Sequence, residues 1–288
     1  MGSLCLFSSF FTGDSIPYYI KIYLEELNRH FGEIIFLTNE KNLNPEDKNY
    51  LIRNNFQLRM YKNEGYDFGM WYKAFIEFPV NDYDRIALIN DSCILFKKLD
   101  SFSEWVDRSD FDVYGMTDSN AISYHIQSFF MVLKKASIVH VKNYFTEQKI
   151  KENIKDVIFH YEVGLSTYLL KMKMKLAANF TNKNYFGEHN PILFFSDELI
   201  RKGIPLIKKK IIYCSFRNEE YLSLMRMNFN IDPRHHIELI KKINGNNLIV
   251  DFDFVTKDIF TSDFISKIKM YKIRNFLFQI IRKFKFWK

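Results

Sequence analysis

The tripeptide Asn90-Asp91-Ser92 ends a short apolar run, Ile86-Ala87-Leu88-Ile89, of the kind found in strands covered on both faces. Ligands of open α/β sheets bind at the carboxyl ends of such strands, which makes Asp91 a candidate to meet a charged ligand. The tripeptide alone is equally consistent with a turn or helix cap, a role that Asn, Asp and Ser often fill. Acidic and amide residues recur just after other predicted strands, at Asn63, Asp67 and Asp118. Such a series suits a sugar nucleotide, whose hydroxyls need carboxylate acceptors and whose diphosphate needs a divalent cation or basic groups. A hard cation, Mn²⁺ or Mg²⁺, favours carboxylate and water oxygens, with imidazole more acceptable to Mn²⁺.

The elements that must position these residues follow from hydrophobic period and turn signals. Residues 3–10 read as a first strand, and Pro17 opens a helix in which Ile20, Tyr23, Leu24 and Leu27 recur at helical spacing. A second strand over 33–40, a helix from Pro45 through Asn55 and a third strand over 56–61 follow. This alternation predicts a parallel sheet wound by crossover helices, with any nucleotide site along its carboxyl edge. Farther on come a helix around Phe75, the strand from Arg85, a helix at 102–108, a strand at 112–116 and an apolar run at 127–133. A helix over 142–151 and a long one within 157–176, whose start carries Glu162, complete the pattern. There is no GxGxxG after the first strand and no P-loop, which disfavours a dinucleotide-dependent dehydrogenase and a nucleotidyltransferase.

Composition sets the outer bounds. The chain has 288 residues, 47% hydrophobic and 17% aromatic, enough to bury a substantial core. Its formal net charge of +7 is concentrated in the stretch from residue 265 rather than spread over the fold, which argues against nucleic acid as a partner. Cys5, Cys93 and Cys214 are too scattered for a disulfide framework or a zinc cluster. No basic n-region with a small-residue cleavage pattern opens the chain, and no apolar run reaches the roughly 18 residues of a membrane span, so a cytoplasmic protein is expected.

Four segments carry a family resemblance: NEGYDFGMW at 63–71, LINDSCILF at 88–96, DVYGMTDS with the following HIQSFFMVLKK within 112–135, and NPILFFSDELIRKGIPLIKK at 190–209. In order and spacing the chain resembles a glycosyltransferase of the rhamnan synthesis protein F type, a bacterial polysaccharide-assembly family. The resemblance implies a GT-A-like α/β fold, a Rossmann-type mostly parallel sheet flanked by helices, with a nucleotide-diphosphate sugar as donor and a growing glycan as acceptor. It places Asp91 at the acidic metal motif of GT-A enzymes, although Asn90-Asp91-Ser92 supplies one carboxylate where Asp-x-Asp supplies two. The diphosphate is then neutralised by Mn²⁺ or Mg²⁺, or by Lys and Arg instead.

His189, in GEHNP, would complete a metal site with Asp91 by the same resemblance, its alternative being a loop histidine. Asn63, Gly65 and Asp67 fall where a GT-A fold grips the nucleoside, joining Asn90, Asp91 and Ser92 as donor contacts. Gly65 and Gly69 would admit a ligand close to the backbone, or simply make a turn. An inverting transfer needs a carboxylate base, and Glu162 takes that role by fold-level analogy, with Asp118 in reserve. Glu162 is also well placed for a helix dipole, and Asp118 for an N-cap or for sugar hydroxyls. His125, Gln127 and Ser128 are expected to face the site and bind the acceptor. Lys208, Lys209 and Lys210 form either a diphosphate contact or a solvated charge run.

Two regions are expected: a GT-A-like domain over residues 1–260 and a basic amphipathic tail over 261–288. In the tail, Lys and Arg interleave with Ile, Phe, Leu and Trp, the pattern of a membrane-surface anchor in which each cation contributes about 1 kcal/mol at an anionic leaflet. The alternative is a terminal helix packed on the core or on another subunit. A peripheral position at the inner face of the cell membrane, beside a lipid-linked acceptor, fits the first reading. A non-catalytic glycan-binding or scaffold protein of the same pathway is the competing function, kept open by the single carboxylate at Asp91.

Overall fold

The computed structural model describes residues 2–120, 122–182 and 191–209. Strands β1 (Ser3–Ser9), β2 (Glu33–Asn39), β3 (Gln57–Tyr61) and β4 (Arg85–Asn90) are all parallel and lie in the order β3-β2-β1-β4. Helices α1 (Tyr18–Leu27), α2 (Pro45–Arg53) and α3 (Tyr66–Glu77) connect them. The α/β expectation therefore holds, with element ends within a few residues of their predicted places. The β1 and β4 runs read as continuously apolar because both of their faces are covered. Leu4 and Leu6 pack with Ile86 and Leu88 against Phe68, Trp71, Phe75, Phe145 and Tyr161. The alternate residue Phe7 points the other way, to Tyr23 of α1, at 5.2 Å between ring centroids.

The chain then departs from a purely parallel winding. After β5 (Cys93–Leu95) and α4 (Asp100–Arg108) come β6 (Val113–Ser119), β7 (His125–Ile126) and β8 (Phe130–Lys134). Strand β8 inserts antiparallel between β4 and β6, pairing Ile89 with Phe130 and Gly115 with Met131. Next are α5 (Lys135–Gln148), the short α6 (Ile154–Asp156), a π-helical segment Val157–Val163, α7 (Gly164–Lys171) and β9 (Leu176–Phe180), which pairs parallel with β6. Short helices α8 (Pro191–Phe194) and α9 (Ser196–Arg201) precede β10 (Leu206–Lys208). Strand β10 forms a separate two-stranded antiparallel ribbon with β5.

The strand order locates the ligand edge. The chain leaves β1 toward β2 and β3, then returns to β4 on the other side of β1. A crevice is thereby opened at the carboxyl ends of β1 and β4, the switch point of the sheet. Among the described residues no helix is long and apolar enough to cross a membrane. His189, Lys210, Cys214, the boundary near residue 260 and the basic tail lie outside the described residues.

Candidate functional site

At the switch point, β1 contributes Ser8 and β4 ends on Asn90, followed directly by Asp91, whose amide donates to the Ser8 carbonyl at 3.2 Å. Asp67 reaches the same place from the first turn of α3. Its Oδ1 accepts from Ser8 Oγ at 2.9 Å and its Oδ2 from Asn90 Nδ2 at 2.7 Å. Asn90 Oδ1 in turn accepts from the Ser92 amide at 3.1 Å and Ser92 Oγ at 2.6 Å. The entry to α3 is two left-handed residues, Gly65 at φ 72° and Tyr66 at φ 56°. A bulky residue rarely adopts that conformation, and such strain is concentrated where a fold holds a side chain for a purpose.

Asp91 is nearly buried and closely held. Its Oδ2 accepts from Tyr19 OH at 2.9 Å and from Lys209 Nζ at 2.9 Å, while Lys209 also donates to Tyr19 OH at 2.8 Å. Lys208 Nζ donates to Ser92 Oγ at 2.8 Å and sits 4.3 Å from the centre of the Phe129 ring. Both lysines are delivered by the β5–β10 ribbon, in which Lys208 pairs with Cys93 and the Lys209 amide donates to the Ser92 carbonyl at 3.0 Å. Lys41, just beyond β2, lies over the Phe11 ring and donates to the Phe11 carbonyl. Burial pushes its ammonium below the usual lysine range, partly offset by Asp91.

Burial, with the charge of Asp91 added, raises the Asp67 carboxyl to about 6 against the opposing pull of Ser8, Lys208 and Lys209. A carboxyl that is a weaker acid in the folded than in the unfolded state binds more protons there, so stability falls as pH rises from about 4 through 6. Fully expressed, that difference is about 3 kcal/mol, reduced by the water that still reaches Asp67. Asp67→Asn is expected to flatten this slope and to melt above the parent protein at pH 7 to 8. Parallel melting curves of the two proteins from pH 4 to 8 would disprove the assignment.

The second half of the site lies beside β4. The Asn90 amide donates to the Phe129 carbonyl at 3.2 Å. The preceding residue, Ser128, gives both its amide and its hydroxyl to Glu162 Oε1, each at 3.1 Å. Glu162 thus stands one residue from the partner of Asn90, and among the described residues its Oε2 has no hydrogen-bond donor. It does not open a helix, as its sequence context suggested, but sits within the π-helical segment Val157–Val163. π turns within helices are frequent at functional sites.

Other expected residues are placed differently. Asp118 lies inside β6, buried, and accepts from Thr181 Oγ1 at 2.9 Å and the Asn182 amide at 2.5 Å, tying β6 to the end of β9. Gln127 accepts from Thr117 Oγ1 at 2.6 Å, and His125 Nδ1 meets the Ser123 carbonyl at 2.8 Å. Of the expected acceptor trio, Ser128 is therefore the member bonded to Glu162. Asn63 is exposed in the loop before α3, and no hydrogen bond brings it to the Asp67–Asn90 group. The two glycines serve the turn itself: a Cβ on Gly69 would stand 1.7 Å from the Glu64 carbonyl oxygen, and one on Gly65 would meet Ile150 at 2.8 Å.

The donor set can be tested for a divalent cation. Three of the four carboxylate oxygens of Asp67 and Asp91 already accept hydrogen bonds, from Ser8, Asn90, Tyr19 and Lys209, and Asp91 Oδ2 accepts two. Only Asp91 Oδ1 has no donor among the described residues, and two carboxylates, one of them paired with a lysine, are a sparse set for the several oxygen ligands such ions take. Glu26, His30 and Asp100 do lie within mutual ligand distance, but at the amino ends of the strands. Burial alone would raise the Glu26 carboxyl, yet hydrogen bonds from His30, the Leu99 amide and Arg29 hold it below its usual range. This trio is an ion-pair network joining α1 to α4.

The family model for rhamnan synthesis protein F matches residues 34–273, most of the chain. The chain belongs to the rhamnan synthesis protein F family. Membership supports a transferase of polysaccharide synthesis. No curated protein matches the sequence. Among solved structures the chain is similar to a protein described as a nucleotide-diphospho-sugar transferase from Desulfovibrio desulfuricans G20, at 12% identity and TM-score 0.45, covering 81% of this chain and 100% of that one. It is similar to the glycosyltransferase GlyE of Streptococcus pneumoniae TIGR4, at 11% identity and TM-score 0.39, covering 86% and 64%. A protein from Bacillus anthracis described as a glucose-1-phosphate thymidylyltransferase matches at 10% identity and TM-score 0.45, covering 62% and 87%.

Within this rhamnan synthesis protein F chain, Ser8, Tyr19 and Lys41 are residues of the site that sequence reasoning missed. A signal existed for two of them: Ser8 ends β1, and the start of the following helix, which carries Tyr19, must lie on the same carboxyl edge.

Proposed function

We propose that the protein is a glycosyltransferase that moves a hexose or deoxyhexose from a nucleotide-diphosphate sugar to a hydroxyl of a growing, lipid-linked glycan. The observation that carries this reading is the meeting of Asp67, Asn90, Asp91 and Ser92 at the switch point, with Glu162 one residue away. Asp67 and Asn90 present polar atoms to the nucleoside and sugar end of the donor, and Asp91 fixes Lys209 and Tyr19 beside the diphosphate. In an inverting course, Glu162 takes the proton of the acceptor hydroxyl. The acceptor oxygen bonds to the anomeric carbon as the bond from that carbon to the diphosphate oxygen breaks, its electron pair leaving with the nucleoside diphosphate. The basic stretch from residue 265 holds the enzyme against the anionic inner face of the membrane, where a lipid-linked acceptor resides.

Acceptor-dependent release of nucleoside diphosphate from a panel of UDP-, dTDP- and GDP-sugars tests the reading. Release from one donor is expected, and Asp91→Ala is expected to slow it by about 10²–10³-fold, the usual loss for a group that organises developing charge. Binding of a nucleotide without turnover on any acceptor would instead favour the scaffold role.

A further inference from the structure

We infer that Lys208 and Lys209 hold the donor diphosphate in place of a divalent cation, so that nucleotide binding proceeds without metal. The inference rests on the nucleotide-sugar reading of the site and names the groups that meet its charge. Lys209 lies 2.9 Å from Asp91 Oδ2, where a bound cation would stand, so a metal at that oxygen must displace the ammonium and one at Oδ1 meets its charge. Lys208 differs from its neighbour. Its ammonium is bonded to a neutral hydroxyl and faces the Phe129 ring, with no carboxylate in ion-pair range among the described residues. A lysine charge held by neutral partners lacks the counter-ion that would offset its desolvation, which an incoming phosphate oxygen supplies.

The charges around the crevice point the same way. Lys41, Lys208 and Lys209 stand close enough to Asp67 or Asp91 to act on their charge, so lysines share the place where a metal motif would show carboxylates alone. The backbone fixes where the pair enters the crevice, and Ser92, Asp91 and Tyr19 hold the two ammonium groups there. The Lys209 amide is bonded to the Ser92 carbonyl, and three β5–β10 residue pairs hold the ribbon in register. Both ammonium groups therefore sit at the carboxyl end of β4 before any ligand arrives, and little ordering remains to be done on binding.

Titration calorimetry of the full chain with inorganic pyrophosphate and with UDP, dTDP, GDP and CDP, each in EDTA and in Mn²⁺, tests this. Binding in EDTA is expected within about threefold of that in Mn²⁺, and Lys208→Ala and Lys209→Ala are each expected to weaken it by about 10- to 100-fold, the range for a hydrogen bond to a charged group. Lys209→Gln keeps a donor toward Asp91 and Tyr19, so its loss of affinity at an unchanged melting temperature separates lost charge from lost folding. Nucleotide binding that requires Mn²⁺, or that survives both lysine substitutions, overturns the inference while leaving the transferase reading intact. Pyrophosphate binding in EDTA with no nucleotide bound keeps the lysine site and overturns the nucleotide-sugar reading. Absence of binding by every probe overturns both.

Discussion

Glu162→Gln is expected to lower the rate of sugar transfer by about 10²–10⁴-fold, the contribution of a positioned general base, with nucleotide affinity unchanged. The substitution is a clean one because the amide oxygen of Gln still accepts from the Ser128 amide and hydroxyl, which now bond Oε1 at 3.1 Å. What is lost is the capacity to take a proton. A fall in kcat without a change in nucleotide affinity would match a group that acts on the acceptor rather than on the donor. Transfer at the parental rate would remove Glu162 from the mechanism. Asp118 would not inherit the role easily, since Thr181 and the Asn182 amide already bond its carboxylate. Asp118→Asn should register first as lost stability.

Gly69→Ala is expected to cost about 4 kcal/mol or more in chemical denaturation, among the largest effects of a single methyl group. The Cβ would stand 1.7 Å from the Glu64 carbonyl oxygen and 2.7 Å from its carbon, closer than any side-chain rotation can relieve. The backbone must give way instead, and the segment that must move contains the left-handed pair Gly65 and Tyr66. That pair aims Asp67 at Ser8 and Asn90. The same substitution should therefore weaken nucleotide binding in whatever fraction of the protein remains folded. Unchanged stability would show that the turn into α3 is built otherwise.

The contrast between these residues shows what a one-dimensional reading can reach. Strands β1, β2 and β4 were legible because two-sided burial writes itself as short unbroken apolar runs, and strand ends then point to Asp91. The direction of β8 was not, because an apolar run is the same whichever way it pairs. Asp67 and Gly69 stood out as residue types, yet their neighbourhood read as a loop gripping ligand, since nothing local announces a left-handed tyrosine at a helix start. Glu162 was found through an analogy that put it at a helix N-terminus. A π turn depends on packing against the rest of the fold and leaves no periodic trace. The contacts of the site join residues 59, 72 and 118 positions apart. Only the crossover order of the sheet brings them together, so Ser8, Tyr19 and Lys209 could be expected near the edge but not paired to their partners.

The placement of Lys208 and Lys209 on the last described strand carries a consequence for how the protein comes into being. Among the described residues, every strand of the main sheet is complete by Phe180. A nascent chain that has emerged that far holds the whole parallel scaffold, Asp91 included, but neither ammonium group. The sheet can assemble on the ribosome with its crevice still acidic, and the crevice gains its balancing lysines only when the β5–β10 ribbon zips shut. Attraction for an anionic donor is thus withheld from chains that have not yet reached Lys209, and arrives with the closing of that ribbon.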